Sequence, residues 1–124
     1  MSATALVLFA HGARDPEWAE PFRRIKRLIA QKQPALAVEL AFLEFMEPPL
    51  AHAVDKLARA GHRSITIAPL FMAQGGHLKH DLPKIMDALR AGHPGATITL
   101  LPAVGDIEAI LEAIAGWLVG AVNT

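Results

Sequence analysis

Two hydrophobic periods alternate along the chain. Short runs that are apolar at nearly every position predict strands buried on both faces, at residues 5–10 (ALVLFA), 37–43 (AVELAFL), 64–70 (SITIAPL) and 96–101 (ATITLL). After each of them, apolar residues recur every three or four positions, which predicts an amphipathic helix. This βαβαβαβα order predicts a single three-layer α/β domain over residues 1–124, with a four-stranded parallel sheet. We expect the flavodoxin-like strand order 2-1-3-4.

The helical segments carry start and stop signals. Their apolar faces are Phe22, Ile25, Leu28 and Ile29; Leu50, Val54, Leu57 and Ala58; Leu82, Ile85, Met86 and Leu89; and Ile107, Ile110, Leu111, Ile114 and Leu118. Gly61 and Gly92 predict the ends of the second and third helices, and Asp106 predicts the N-cap of the fourth. Pro21 predicts that the first helix begins near it or has a broken first turn.

Composition narrows the possible classes of protein. The chain of 124 residues is 52% apolar, which is enough for a packed core, and it contains no cysteine, which excludes disulfides, thiolate metal sites and cysteine nucleophiles. Twelve basic residues balance twelve acidic ones, which argues against a nucleic-acid or anionic-membrane partner. The N-terminal apolar run is too short for a signal peptide, and the C-terminal one has about half of the ~20 residues of a spanning helix. We expect a cytoplasmic protein.

Unexplained polar residues follow the ends of three predicted strands. His11 follows the first, Glu44 and Glu47 the second, and His77 the third. Because neighbouring strands lie about 4.8 Å apart, these side chains can converge at one edge of the sheet. Two imidazoles and a carboxylate predict a divalent-metal site, whose nitrogen and oxygen ligands suit Co, Ni, Fe or Zn.

Each histidine also has a structural interpretation. His11 can be a strand-end residue bonded to its own loop, but the adjacent Gly12 favours function, because a glycine lets a ligand approach the backbone. His77 follows Gly75 and Gly76, which form either a ligand loop or a plain tight turn.

The remaining histidines are weaker candidates. His80, three residues after His77, either completes a metal pair or is a solvated or capping residue beside Asp81. We expect His52, His62 and His93 at the surface.

The two carboxylates compete for one role. We favour Glu47, which lies further from the strand and nearer the crevice, although it can equally be a carboxylate at a helix start. Arg14 can pair with an anionic substrate group. Four apolar residues provide either a wall for a flat ligand or part of the core: Met46, Phe71, Met72 and Leu78.

Three ordered motifs, FAHGARDP, FLEFMEPPL and IAPLFMAQGGHLKHDLP, together resemble the short CbiX-like sirohydrochlorin chelatases, which are class II tetrapyrrole metal chelatases. The resemblance covers essentially the whole chain. It implies a lyase that inserts a divalent metal, first Co²⁺ and alternatively Ni²⁺ or Fe²⁺, into sirohydrochlorin without an organic cofactor. It also implies a homodimer with the tetrapyrrole in the cleft between subunits.

The resemblance also assigns roles to residues. It implies that His11 binds metal and accepts a proton, that His77 is the second metal ligand, and that Glu47 contacts the substrate. It implies a substrate-binding loop, Met72, Ala73, Gln74, Gly75 and Gly76, ending at His77; Glu44 belongs to the same acidic motif as Glu47. Ala13 departs from the serine that commonly follows His-Gly in the family, which removes a hydroxyl near the site.

Three rival functions remain open. A His-Gly pair near an arginine is also typical of histidine phosphatases, but there the arginine directly precedes the histidine, and here Ala10 does. A metal or tetrapyrrole carrier would use the same site without turnover. A degenerate interaction domain would bind neither ligand.

Overall fold

A computed structural model describes residues 4–124 of the chain. The strands are β1 (Thr4–Ala10), β2 (Ala37–Phe42), β3 (Ser64–Pro69) and β4 (Thr97–Leu100), and the α-helices are α1 (Glu20–Lys32), α2 (Leu50–Arg59), α3 (Gly76–Gly92) and α4 (Glu108–Val122). Short 3₁₀ turns, Pro16–Ala19 and Val104–Asp106, precede α1 and α4. Residues 1–3, with which the segment weighed as a signal peptide begins, lie outside the described part.

The four strands form one parallel sheet in the order β2-β1-β3-β4. In its register, Ala5 of β1 lies opposite Ala37 of β2 and Ile65 of β3. The predicted three-layer architecture and strand order are therefore confirmed. Because all strands run the same way, their carboxyl ends meet at one edge of the sheet, where the predicted site residues follow.

One face of the sheet carries the main core. Alternate strand residues such as Val7, Phe9, Ile65 and Ile67 are buried there against α2 and α3. The predicted faces of those helices are buried accordingly, with Leu57 and Met86 both nearly inaccessible. Burial of these apolar side chains is the main force that stabilises this side of the sheet.

The opposite face is much less covered. Within residues 4–124, the buried cluster on this side is small: it comprises Ala10, Ala19 and Phe42, and Leu8 of β1 is also buried. No residue of α1 or α4 is buried, although both helices have the predicted apolar residues. The mostly apolar α4 packs principally against the Val104–Asp106 turn, and its Trp117 is 70% exposed.

Two helix starts differ in how well they were predicted. The first helical segment does have a broken start, since the 3₁₀ turn at Pro16–Ala19 gives way to α1 at Glu20, with Pro21 in the first turn, where a missing N–H costs nothing. The predicted N-cap at Asp106 is wrong. Asp106 ends a 3₁₀ turn, and Ile107 occupies the N-cap position with no side-chain cap bond.

The surface expectation for His62 is also wrong, since it is 8% exposed. Gly61 adopts φ +95° after α2, and the next N–H, of His62, donates to the Leu57 carbonyl at 3.2 Å. The N–H of Gly61 donates to the Ala58 carbonyl, which completes a Schellman motif. That motif turns the chain inward, so His62 enters the fold at the start of β3.

Within residues 4–124, no helix combines the length and apolar character needed to cross a bilayer.

Candidate functional site

The loops after β1 and β2 are joined to each other by backbone contacts. The N–H of Leu43 donates to the carbonyl of Ala10 at 2.9 Å, and the N–H of Glu44 donates to the carbonyl of His11 at 3.0 Å. Gly12 has φ +89°, and a Cβ there would lie 1.9 Å from the Glu44 carbonyl oxygen. The close approach that requires this glycine is therefore made by the chain itself, which corrects the interpretation that it admits a ligand.

The His11 ring lies on a buried aromatic support. Its centroid is 4.4 Å from that of Phe71, which in turn meets Phe9 edge-on at 5.4 Å. Phe71 is 2% exposed, whereas the His11 side chain faces solvent. The core thus holds one face of the imidazole and leaves the rest of the ring accessible.

His77 lies on a helix and not in the loop that was expected to end with it. Gly75 is the N-cap of α3 and Gly76 its first residue, so His77 projects from the first turn. Neither glycine has a positive φ, and a Cβ on either would meet nothing within 4 Å. The glycine pair therefore marks a helix start.

A cavity of about 430 Å³ brings several predicted site residues together. His11, Glu44, Gly75, Gly76 and His77 all line it, so residues of the loop after β1, the loop after β2 and the start of α3 share one space. The donors come from three different elements, which is the arrangement expected at the carboxyl edge of an open α/β sheet.

Other predicted residues lie outside this cavity. Glu47 and Arg14 line a neighbouring space of about 260 Å³, and Glu47 also lines a larger one of about 710 Å³ beside β2. Met72 and Ala73 are exposed, and Gln74 is half-buried. His80 is exposed and does not line the His11–His77 cavity, nor do His52 and His93. Of the possible wall residues, Phe71 and Leu78 are buried, and Met46 is half-buried.

Sequence reasoning missed a carboxylate in the same cavity. Asp81 lines it together with His77, which lies four positions earlier on α3. Residues four apart lie on one helix face, so the spacing within HLKHD carried the signal. Asp81 was considered only as a capping partner of His80.

Sequence reasoning also missed the support of the loop after β3. A Cβ on Gly105 would lie 1.5 Å from the Met72 carbonyl oxygen, and the N–H of Gly105 donates to the Phe71 carbonyl at 3.0 Å. The Val104–Asp106 turn therefore holds the loop that leads to His77. Nothing in the sequence near Gly105 distinguished it from an ordinary turn glycine.

The donors around the cavity do not form a closed ligand set. Among residues 4–124, no group of three or more His, Asp or Glu side chains lies close enough to hold one metal ion. A site of two imidazoles and one carboxylate is thus not preassembled.

Known proteins resemble this chain in sequence and in fold. The profile of the CbiX family matches residues 5–118, and the chain belongs to that family. A sirohydrochlorin cobaltochelatase of Methanococcus aeolicus is 37% identical over 82 residues, which are 66% of this chain and 57% of that protein. One of Sulfurisphaera tokodaii is 30% identical over 109 residues, 88% of this chain and 86% of that protein.

Solved structures agree with the fold. A CbiX protein of Marinobacter aquaeolei is 30% identical with a TM-score of 0.79, and the match covers 97% of this chain and 98% of that one. The sirohydrochlorin chelatase SirB of Bacillus subtilis, solved with cobalt, is 22% identical with a TM-score of 0.77. The match covers 94% of this chain but 49% of SirB, and it supports the fold alone.

Proposed function

We propose that the chain is a sirohydrochlorin chelatase that inserts a divalent metal, Co²⁺ first, into the tetrapyrrole ring. The observation that carries this proposal is the cavity shared by His11 and His77 in a member of the CbiX family. The cobaltochelatase relatives support the same reaction, although the M. aeolicus protein is longer than the matched region. In this reaction the metal is a substrate: it enters the ring, two pyrrole protons leave, and no organic cofactor takes part.

The roles of the residues follow from their chemistry. Neutral imidazoles of His11 and His77 bind the ion, and His11 accepts a pyrrole proton on the nitrogen that the ion leaves as it enters the ring. Glu44, which lines the same cavity, accepts the second proton, and Glu47, which lines a different space, orients the ring. Arg14 pairs with a peripheral carboxylate of the substrate. The loop 72–76 contacts the ring.

The proposal is tested by replacing each imidazole. We expect His11→Ala and His77→Ala to lower the initial rate of Co²⁺ insertion at least about 100-fold above the uncatalysed background, since each removes a metal ligand. The rate is followed by the visible spectrum of sirohydrochlorin. His80→Ala is the matched control, because His80 is on the same helix and exposed but outside the cavity.

Circular dichroism and thermal melting establish that each variant is folded. Insertion at the wild-type rate by both folded variants would refute the assignment of the two histidines. Parallel rates with Ni²⁺ and Fe²⁺ identify the preferred metal. Several turnovers per chain distinguish an enzyme from a carrier with the same site.

We also propose that two copies of the chain pair. A monomer of 13.3 kDa is expected to expose roughly 6,500 Å², whereas this chain exposes 7930 Å², about 1,400 Å² more. A typical stable interface buries about 800 Å² per partner. The excess surface is therefore large enough for a homodimer.

The apolar positions indicate where the copies meet. On α4, Trp117, Leu118 and Val119 are at least half exposed, and on the open side of the sheet Ile25 and Leu28 are 37% and 40% exposed. Both surfaces lack cover within one copy. In the pair we propose, α4 of each copy lies against the open α1 side of the other, and the carboxyl edges of the two sheets enclose the tetrapyrrole.

The proposed partners exclude nucleic acid and membrane, which the zero net charge supports. The absence of cysteine fits a protein of the reducing cytoplasm.

A further inference from the structure

Phe45 has a backbone conformation that the fold does not require of a phenylalanine. Its φ is +65°, a value that side-chain-bearing residues rarely adopt. The N–H of Met46 donates to the carbonyl of Glu44 at 2.8 Å, which closes a three-residue turn around Phe45. A γ-turn with positive φ is rare and strained.

Burial does not account for this strain. The Phe45 side chain is 57% exposed and belongs to neither buried cluster. A glycine would adopt this turn without the strain, and a polar residue would expose less apolar surface to water. Strained, exposed residues that persist in a fold concentrate at binding and catalytic sites.

The turn is fixed by the segment that carries the candidate site. Glu44, directly before Phe45, is bonded through its N–H to His11 and abuts Gly12 through its carbonyl oxygen. The position of the Phe45 ring is therefore tied to the position of the His11 loop. The strained turn thus holds an exposed aromatic ring directly after Glu44, which lines the cavity.

The Phe45 ring also holds a cation. The guanidinium carbon of Arg14 lies 4.8 Å from the ring centroid, within the range of a cation–π interaction. Both residues line the 260 Å³ space next to the His11–His77 cavity. An aromatic face beside an oriented guanidinium matches a flat conjugated ring that bears carboxylates at its rim.

We propose that Phe45 is a specificity-determining residue that binds the rim of the tetrapyrrole: its ring packs against the conjugated surface, and it holds Arg14 toward a peripheral carboxylate. This inference rests on the proposed function, because the ligand is the substrate of that reaction. It concerns binding of the ring, and it is therefore separable from metal insertion.

The test measures binding of metal-free sirohydrochlorin to the full chain by fluorescence titration. We expect Phe45→Ala to raise the dissociation constant about tenfold and Phe45→Trp to restore most of the loss, because stacking on an aromatic ring is what is removed and returned. In insertion assays, Phe45→Ala is expected to raise the KM for the tetrapyrrole with kcat changed less than about twofold.

The variant Phe45→Gly distinguishes the effect of losing the aromatic ring from the effect of relieving the strained backbone. Glycine adopts a positive φ freely, so this variant is expected to melt at a higher temperature than Phe45→Ala while binding sirohydrochlorin equally weakly. Arg14→Gln is expected to weaken binding in the wild-type background, and to weaken it less when Phe45 is already alanine.

The outcomes are distinct. An unchanged dissociation constant for folded Phe45→Ala overturns the inference, and so does a Phe45→Leu variant that binds as well as wild type, since leucine keeps apolar bulk without the aromatic face. A wild-type chain that binds sirohydrochlorin but inserts no metal overturns the proposed function and leaves the binding comparison intact as a test of Phe45.

Discussion

The two faces of the sheet differ in how completely the chain covers them. Against α2 and α3, alternate strand residues such as Ile65 and Ile67 are fully buried. On the α1 side, Thr97 and Thr99 of β4 are exposed, and Leu101 beyond them is 41% exposed. The helices α1 on one side and α2 on the other have similar apolar periodicity. The spacing of apolar residues therefore shows which side chains share a helix face. It does not show whether another part of the same chain packs against that face.

The largest expected effect contrasts the two faces directly. Ile67→Ala removes a fully buried side chain from the closed face and is expected to lower the free energy of unfolding by about 3–4 kcal/mol. Leu28→Ala, on the open side, is expected to cost less than about 1 kcal/mol in a dilute monomer. Urea titration of both variants measures the contrast, and equal losses would contradict the difference between the faces.

A second variant affects Gly105, in the turn that supports the loop after β3. Gly105→Ala would place a Cβ 1.5 Å from the Met72 carbonyl oxygen, so the loop after β3 must shift. We expect a loss of about 2–3 kcal/mol of stability and about tenfold in Co²⁺ insertion. Gly95→Ala is the control, because a Cβ there meets nothing within 4 Å. A Gly105→Ala enzyme with unaltered insertion would show that the loop tolerates displacement.

A third prediction concerns the open side alone. Replacing Trp117 and Leu118 of α4 with lysine places charge in the proposed interface and is expected to raise the dimer dissociation constant at least about 30-fold, or about 2 kcal/mol. Since neither side chain is buried within one copy, the unfolding free energy of the monomer should stay within about 0.5 kcal/mol. Sedimentation velocity at micromolar concentration reports the association. Wild-type chain that sediments as a monomer there would contradict pairing.

The smallest effect is electrostatic and lies on α1. A hydrogen bond from Arg27 at 2.7 Å lowers the pKa of Glu20, with a weaker contribution from Arg23. A carboxyl with a lowered folded pKa stabilises the fold above its ordinary pKa of about 4.3, and this stabilisation is lost as the pH falls through the folded value. Thermal melts of wild type and Glu20→Gln should therefore differ slightly at pH 7 and converge in acid. Because the pair is exposed, salt should shrink the difference.

Much of the architecture was predictable because it depends on local patterns. Apolar runs predicted the four strands to within a residue or two of their bounds, and their alternation with helices predicted a parallel α/β sheet, for which the flavodoxin-like strand order was expected. The placement of His11 and His77 at the same edge follows from that order. As predicted, Gly92 ends its helix, and Gly61 lies two positions beyond the end of its helix.

Some of the failures share a physical cause: they depend on contacts between residues far apart in the chain. The burial of His62 requires the Schellman turn after α2 to face the core, and the constraint on Gly105 requires Met72, more than thirty positions earlier. The exposure of α4 depends on how little of the rest of the described chain packs against it. Asp81 is different, since its spacing from His77 was visible in the sequence and only its role was overlooked.

The support of the loop after β3 is made by main-chain atoms. Gly105 bonds to the carbonyl of Phe71 and abuts the carbonyl of Met72, and neither contact involves the side chain of the loop residue. The exposed side chains of Met72 and Ala73 can therefore be exchanged without releasing the loop from its anchor. Such a scaffold would allow the lining of the proposed substrate cleft to diversify toward other rings or metals while the backbone leading to His77 stays where it is.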